Sequence, residues 1–153
     1  MQVRSCDTAD IEQAALIFCQ AYASAPCHES WELADASAYL RRFREIDPEG
    51  CFVWEQNGEV AGAIFSFSYP WHSGKLTCIQ ELFVAKPSRK KGVARALVQS
   101  VNGGSGGGAW LVAHKASGAA EFYERLGFRK DGPYEFTMAQ STHNKAVNRT
   151  PKA

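Results

Sequence analysis

The stretch Leu82–Val98, LFVAKPSRKKGVARALV, decides the fold. Its first residues are an apolar, strand-like run that stops at Pro87. From Gly92 onward the apolar residues Val93, Leu97 and Val101 share one helical face. Between the two lies a turn in which Arg89, Lys90 and Lys91 are consecutive. A helix N-terminus leaves its first N–H groups unpaired and carries about half a positive charge. Backbone amides in the preceding turn can form an anion-binding concavity. Gly92 permits close approach of the backbone, and Ala94 keeps the next turn slim. This geometry suits a compact multivalent anion, above all a pyrophosphate. A solvated charge run has the same composition and stands as the plain alternative.

The rest of the chain argues that the basic cluster is local. The 153 residues carry a formal net charge of +1, whereas proteins that live on phosphate backbones carry a larger excess. The length fits one domain, and 45% hydrophobic with 22% charged residues is globular composition. No nucleic-acid partner and no membrane partner are expected, since no apolar run approaches the roughly 20 residues of a span. The opening MQVRSCDTADIEQ has no apolar core of a signal peptide. The five cysteines (Cys6, Cys19, Cys27, Cys51 and Cys78) are scattered and form no CxxC pair. They read as reduced thiols in a cytoplasmic protein, with no metal site.

Outward from the central stretch, the elements can be placed in turn. Gln2 to Ser5 is a short strand, and Asp7 caps a helix bearing Ile11, Ala15, Phe18 and Tyr22. Pro26 ends that helix. A second helix starts near Leu33, with Leu33, Ala36, Leu40 and Phe43 in one stripe, and DPEG (47–50) stops it. CFVWE and VAGAIFSFS form a hairpin across Asn57-Gly58. YPWHSGK (69–75) turns the chain into the strand Leu76–Val84. After the helix that follows Gly92, NGGSGGG (102–108) lacks a following GK[ST] and reads as a flexible connector. Ala109–Ala113 is a strand, Ser117–Leu126 a helix closed by Gly127, and Phe128–Ala139 two short strands. The order is β-α-α-β-β-β-α-β-α-β-β: an α/β (α+β) fold with one mixed sheet, in a single domain over 1–139. The polar residues 140–153 read as a disordered tail.

ELFVAKPSRKKGVARALV resembles motif A of the GNAT acetyltransferases, whose signature is [RQ]-x-x-G-x-[GA] after a strand. Arg89-Lys90-Lys91-Gly92-Val93-Ala94 fits it position by position. SGAAEFYERLGF (117–128) is similar to the motif B helix, and the element order agrees. The resemblance implies a three-layer fold whose sheet splays between strands 4 and 5, with a β-bulge in strand 4. It implies an N-acetyltransferase that moves the acetyl group of acetyl-CoA to a primary amine of a small molecule or peptide, by direct attack and without a metal. Leu82, Phe83 and Val84 would bond the pantetheine arm through their backbone, and one N–H there would polarise the thioester carbonyl. The amides of Arg89, Lys90, Lys91, Gly92, Val93 and Ala94 would cradle the pyrophosphate. Many members have Gly where Lys90 stands. The frequent Asn that contacts pantetheine is replaced by Ala116, with Ser117 next to it.

For catalysis the resemblance implies Tyr123 as the general acid that protonates the leaving thiolate; the same residue would also suit a packed amphipathic helix. Glu81 is the base candidate, the sole carboxylate in the apolar strand Leu76–Val84 and one residue before the expected bulge. It would equally suit a carboxylate capped by neighbouring N–H groups. His114 is a weaker second candidate. Family acceptors usually sit near the loops that here hold Glu29, Trp31 and Trp71, where tryptophans can wall a pocket for a cationic amine. Many relatives pair as homodimers, but this sequence has no dedicated interface signal. A catalytically inactive CoA-binding sensor on the same fold is the competing reading.

Overall fold

A computed structural model describes residues 1–102 and 108–130, together with 132, 133, 135 and 137. Among the described residues five strands form one sheet in the order β1-β2-β3-β4-β5. They are β1 (Gln2–Ser5), β2 (Cys51–Gln56), β3 (Glu59–Trp71), β4 (Gly74–Val84) and β5 (Gly108–Leu111). The first four run antiparallel, and β4 pairs with β5 in parallel. The helices are α1 (Ile11–Ala23), α2 (Leu33–Ile46), α3 (Val93–Asn102) and α4 (Ala119–Arg125). Two short strands are expected within Phe128–Ala139: residues 128–130, 132, 133, 135 and 137 are in no strand, while 131, 134, 136, 138 and 139, like the tail, lie outside the described residues.

The sheet separates two apolar layers. On one face α1 and α2 bury Ile11, Phe18, Ala36 and Leu40 against Val53, Phe65 and Phe83. On the other, α3 and α4 bury Val93, Leu97, Val98 and Tyr123 against Ile64, Ile79 and Val84. Alternation along the strands explains the division, since neighbours on a strand face opposite ways. The hairpin turn falls at Asn57-Gly58, both with positive φ (55° and 79°), as a tight type I′ connection requires.

Several boundaries differ from the sequence reading. The β3–β4 turn is tighter than YPWHSGK implies, because Trp71 and Gly74 already pair. Strand β5 begins at Gly108 and stops at Leu111 rather than Ala113. Helix α4 begins at Ala119, because Lys115–Ser117 is a short 3-10 turn and Gly118 bends the chain. Its end is as expected: Gly127 N–H donates to the Glu124 carbonyl and Phe128 N–H to the Tyr123 carbonyl, both at 3.0 Å.

The bulge in β4 organises the molecule. Phe65 stands opposite Glu81, yet Ser66 stands opposite Ile79, so Gln80 is the extra residue. The bulge therefore precedes Glu81, where the sequence reading put it after. Pairing of β4 with β5 ends at the same level, at Ile79 and Leu111. Beyond it, β4 runs on to Val84 with β3 as its sole partner strand among the described residues.

Candidate active site

The bulge also decides which way the polar side chains of β4 point. Two adjacent residues, Gln80 and Glu81, now reach the α1/α2 face together. The Gln80 amide donates to the Tyr39 hydroxyl at 3.0 Å, and that hydroxyl donates to Glu81 Oε1 at 2.8 Å. From α1, the Tyr22 hydroxyl donates to Glu81 Oε2 at 2.5 Å. Each carboxylate oxygen thus accepts from a tyrosine on a different helix. Phe18 positions both rings: its centroid is 4.6 Å from that of Tyr22 and 5.8 Å from that of Tyr39.

Burial and hydrogen bonding pull Glu81 in opposite directions, and burial wins. Desolvation raises its pKa above the ordinary carboxylate value, the two tyrosine donors lower it in part, and the charge of Glu29 adds to the rise. Both tyrosine hydroxyls are held neutral well beyond their usual range, by burial first and by the adjacent Glu81 charge second. Tyr123, on α4 across the sheet, is 9% exposed. Burial raises its pKa, and Glu81 lies near enough to raise it further. The gap where β5 leaves β4 brings these two groups from opposite layers within electrostatic reach.

The strand edge beside the gap carries open backbone groups. Ala85 N–H donates to the Ala61 carbonyl on β3 at 2.9 Å. Alternation then turns the backbone of Glu81 and Phe83 toward β3, and that of Leu82 and Val84 toward the side that β5 has left. The Val84 carbonyl is taken by Arg89 Nε at 3.0 Å. Arg89 thereby folds back on the strand end; of Leu82, Phe83 and Val84, whose backbone is expected to hold an extended ligand, Phe83 faces β3 instead.

The basic turn has an unusual backbone. Lys90 is left-handed at φ 62°, a conformation that favours glycine, and Gly92 is at φ 82°. A Cβ on Gly92 would meet nothing within 4 Å. Conformation, not crowding within the protein, requires that glycine. The first intrahelical bond of α3 runs from Ala96 N–H to the Gly92 carbonyl at 3.0 Å. The amides of Gly92, Val93, Ala94 and Arg95 precede it and have no carbonyl one turn back in the helix.

Not every expected residue converges. Trp31 does: its ring lies 5.2 Å from Tyr39 and its indole N–H donates to Glu29 Oε2 at 2.7 Å. Trp71 does not. It sits six positions along β3 from Phe65, the partner of Glu81, which is about 20 Å at strand rise. There it packs on Tyr69 and His72, beside an open hollow of about 340 Å³ lined by Ser68, Tyr69, Pro70, Gly74 and Lys75. His114 is exposed and caps its own turn, its Nδ1 accepting from Ala116 N–H at 3.1 Å. The Ser117 hydroxyl is engaged locally, donating to the His114 carbonyl at 2.7 Å and accepting from Ala119 N–H at 3.2 Å. Tyr39 and Gln80 were missed from the sequence. The signal available for them was Gln80-Glu81 itself, two adjacent polar residues that break the alternation of an apolar strand.

The five cysteines are free. Burial pushes the Cys6 thiol up to about 12 and those of Cys51 and Cys78 to about 11. Among the described residues no group of three or more His, Cys, Asp or Glu could hold a metal ion, and no helix is long and apolar enough to cross a membrane.

An interrupted mixed sheet and a left-handed basic turn leading into a helix are the frame of the candidate site. The chain belongs to the GNAT acetyltransferase family: the family model for the acetyltransferase (GNAT) domain matches residues 47–130. Solved structures share the fold at low identity. A protein from Clostridium difficile 630 described as a possible acetyltransferase superposes with a TM-score of 0.72 at 17% identity, over 91% of this chain and 98% of that one. A ribosomal-protein-alanine N-acetyltransferase from Brucella melitensis gives 0.69 at 16%, over 91% and 100%. A transcriptional regulator from Bacillus halodurans gives 0.67 at 20%, over 91% and 99%. No curated protein matches.

Proposed function

We propose that this chain is an N-acetyltransferase that moves an acetyl group from acetyl-CoA to a primary amine by direct attack in a ternary complex. One observation carries the reading: Glu81, raised in pKa by burial and held by Tyr22 and Tyr39, stands one residue past the bulge that opens β4. The open backbone of Leu82, the Val84 N–H, and the unpaired amides at the start of α3 fit an extended thioester with a pyrophosphate at one end.

Bound acetyl-CoA supplies the activated acetyl group. Everything else is work for the chain. Amides Gly92 to Arg95, with the α3 dipole, hold the pyrophosphate, while Lys90 and Lys91 add long-range charge. The Leu82 and Val84 N–H groups are donors toward the gap, fixing an extended arm and polarising an acetyl carbonyl. Glu81 takes a proton from the acceptor ammonium, because a free amine must attack. A carboxylate raised above its usual range is a better base for that task. Tyr123 keeps its proton at the hydroxyl, available to a departing thiolate. Direct attack fits the cysteines, whose buried thiols are held away from the nucleophilic thiolate form.

The test is free-thiol release from acetyl-CoA by the full chain across a panel of amines. Amine-dependent release is expected. Saturable CoA binding without release across the panel would convert the reading to a sensor.

A further inference from the structure

A second carboxylate, Glu29, is joined to Glu81 by a closed ring of contacts. Helix α1 ends at Ala23 with no basic residue in its last turn. The chain then folds back, with Cys27 N–H donating to the Ser24 carbonyl at 3.2 Å and Glu29 N–H to the Tyr22 carbonyl at 2.9 Å. This seats Glu29 over the last turn of α1, beside the tyrosine that holds Glu81. Trp31 tethers the Glu29 carboxylate through its indole N–H, stacks near Tyr39, and Tyr39 returns to Glu81. The ring therefore runs Glu29, Trp31, Tyr39, Glu81, Tyr22 and back to Glu29.

Both charged side chains of this ring are carboxylates. Among the described residues neither Glu29 nor Glu81 has an ion-pair partner. The C-terminal end of α1, where the Tyr22 carbonyl accepts from Glu29 N–H, adds partial negative charge at the same place. The charge of Glu29 reaches Glu81 and adds to the rise that burial imposes on it. Two fixed carboxylates separated by aromatic walls form a poor site for a neutral or anionic acceptor. A monoamine would satisfy one of them.

We infer that the acceptor is a small diamine: one amino group is presented at Glu81 for acetylation, while a second, still charged, is held by Glu29 at the Trp31 edge. The inference rests on the N-acetyltransferase reading and adds the substrate class. Glu29 is then a specificity residue. Its free Oε1 and its exposure let it meet a charged group that stays partly solvated, and the Trp31 bond spares the cost of ordering it.

The experiment compares linear α,ω-diamines with monoamines of equal chain length as acceptors for the full chain, in the wild type and in Glu29→Gln. The amide keeps an acceptor for the Trp31 N–H and removes the charge. A higher kcat/KM for diamines is expected, with the diamine-to-monoamine ratio falling about tenfold in Glu29→Gln, mainly through KM. Calorimetric titration with a bis-quaternary alkyl diammonium, which cannot be acetylated, gives a readout independent of turnover. It should bind the wild type saturably and the variant about tenfold more weakly. Equal turnover of diamines and monoamines, with an unchanged ratio in the variant, overturns the inference and leaves the acetyltransferase reading standing. Absence of turnover on every amine overturns the acetyltransferase reading, and the inference falls with it.

Discussion

The Tyr22 hydroxyl and the Glu81 carboxylate, 59 positions apart, meet at 2.5 Å. The bond joins the last turn of α1 to the first residue after the β4 bulge. A hydrogen bond to the charged form favours ionisation, so it opposes the rise that burial imposes on Glu81.

Removing that donor should push Glu81 further up. Tyr22→Phe keeps the ring against Phe18 and deletes only the hydroxyl. The acid limb of kcat/KM for amine acetylation, set by deprotonation of Glu81, is then expected at higher pH than in the wild type. The pH–rate profile measures it. A limb that stays in place or moves to lower pH would show that Glu81 is not the titrating base.

Tyr123 makes the opposite kind of prediction. Its pKa lies above the ordinary phenol value, so the acid form persists throughout the neutral and mildly alkaline range. No alkaline loss of rate should come from this residue below the usual tyrosine range. Tyr123→Phe should lower kcat by about 10²–10⁴-fold while CoA affinity, measured by titration, stays near that of the wild type. An unchanged rate would assign Tyr123 to packing in the α3/α4 layer.

Gly92 tests the amide cradle. Glu at this position would occupy φ 82°, at a cost of about 1–2 kcal/mol, and would set a negative charge among the free amides of α3. CoA binding by titration should weaken by more than about tenfold. Affinity equal to that of the wild type would remove this turn from the site.

Away from the site, Asp10 predicts how stability depends on pH. It is 8% exposed and accepts from Arg4 at 2.7 and 2.9 Å and from Asp7 N–H at 2.7 Å. The Arg4 guanidinium first, then the backbone bond, hold its carboxyl below the ordinary value. A depressed carboxyl contributes stability that is present above the unfolded pKa of about 4 and is lost as pH falls through the folded pKa. Asp10→Ala should cost about 1.5–3 kcal/mol at neutral pH, with the gap to the wild type narrowing in acid. Urea unfolding at pH 7 and pH 3 measures it.

Much of this fold is local and therefore legible in the sequence. Asn57-Gly58 dictates its hairpin, Pro87 and Gly92 bracket the basic turn, and the Leu33, Ala36, Leu40, Phe43 stripe marks the buried side of α2. What the sequence concealed depends on register and distance. The side on which the bulge falls relative to Glu81 is set by β3–β4 pairing, and the sequence reading puts it two residues too late. Tyr22 reads as one more residue of an apolar stripe, because its ring does pack on Phe18; only the assembled sheet brings Glu81 to its hydroxyl. Tyr39 is found only when α2 lies across β4. Trp31 and Trp71 look equivalent as loop tryptophans, yet the length of β3 carries Trp71 far from the carboxylate.

The central claim is that Glu81 is the base of an amine acetylation, and one comparison tests it most directly: amine-dependent thiol release at saturating acetyl-CoA by the wild type and by Glu81→Gln across pH. The account predicts a wild-type rate that rises through a carboxylate pKa above the ordinary range, and a variant slower by about 10²–10⁴-fold that has lost that limb. A variant that matches the wild type in rate and profile would contradict it.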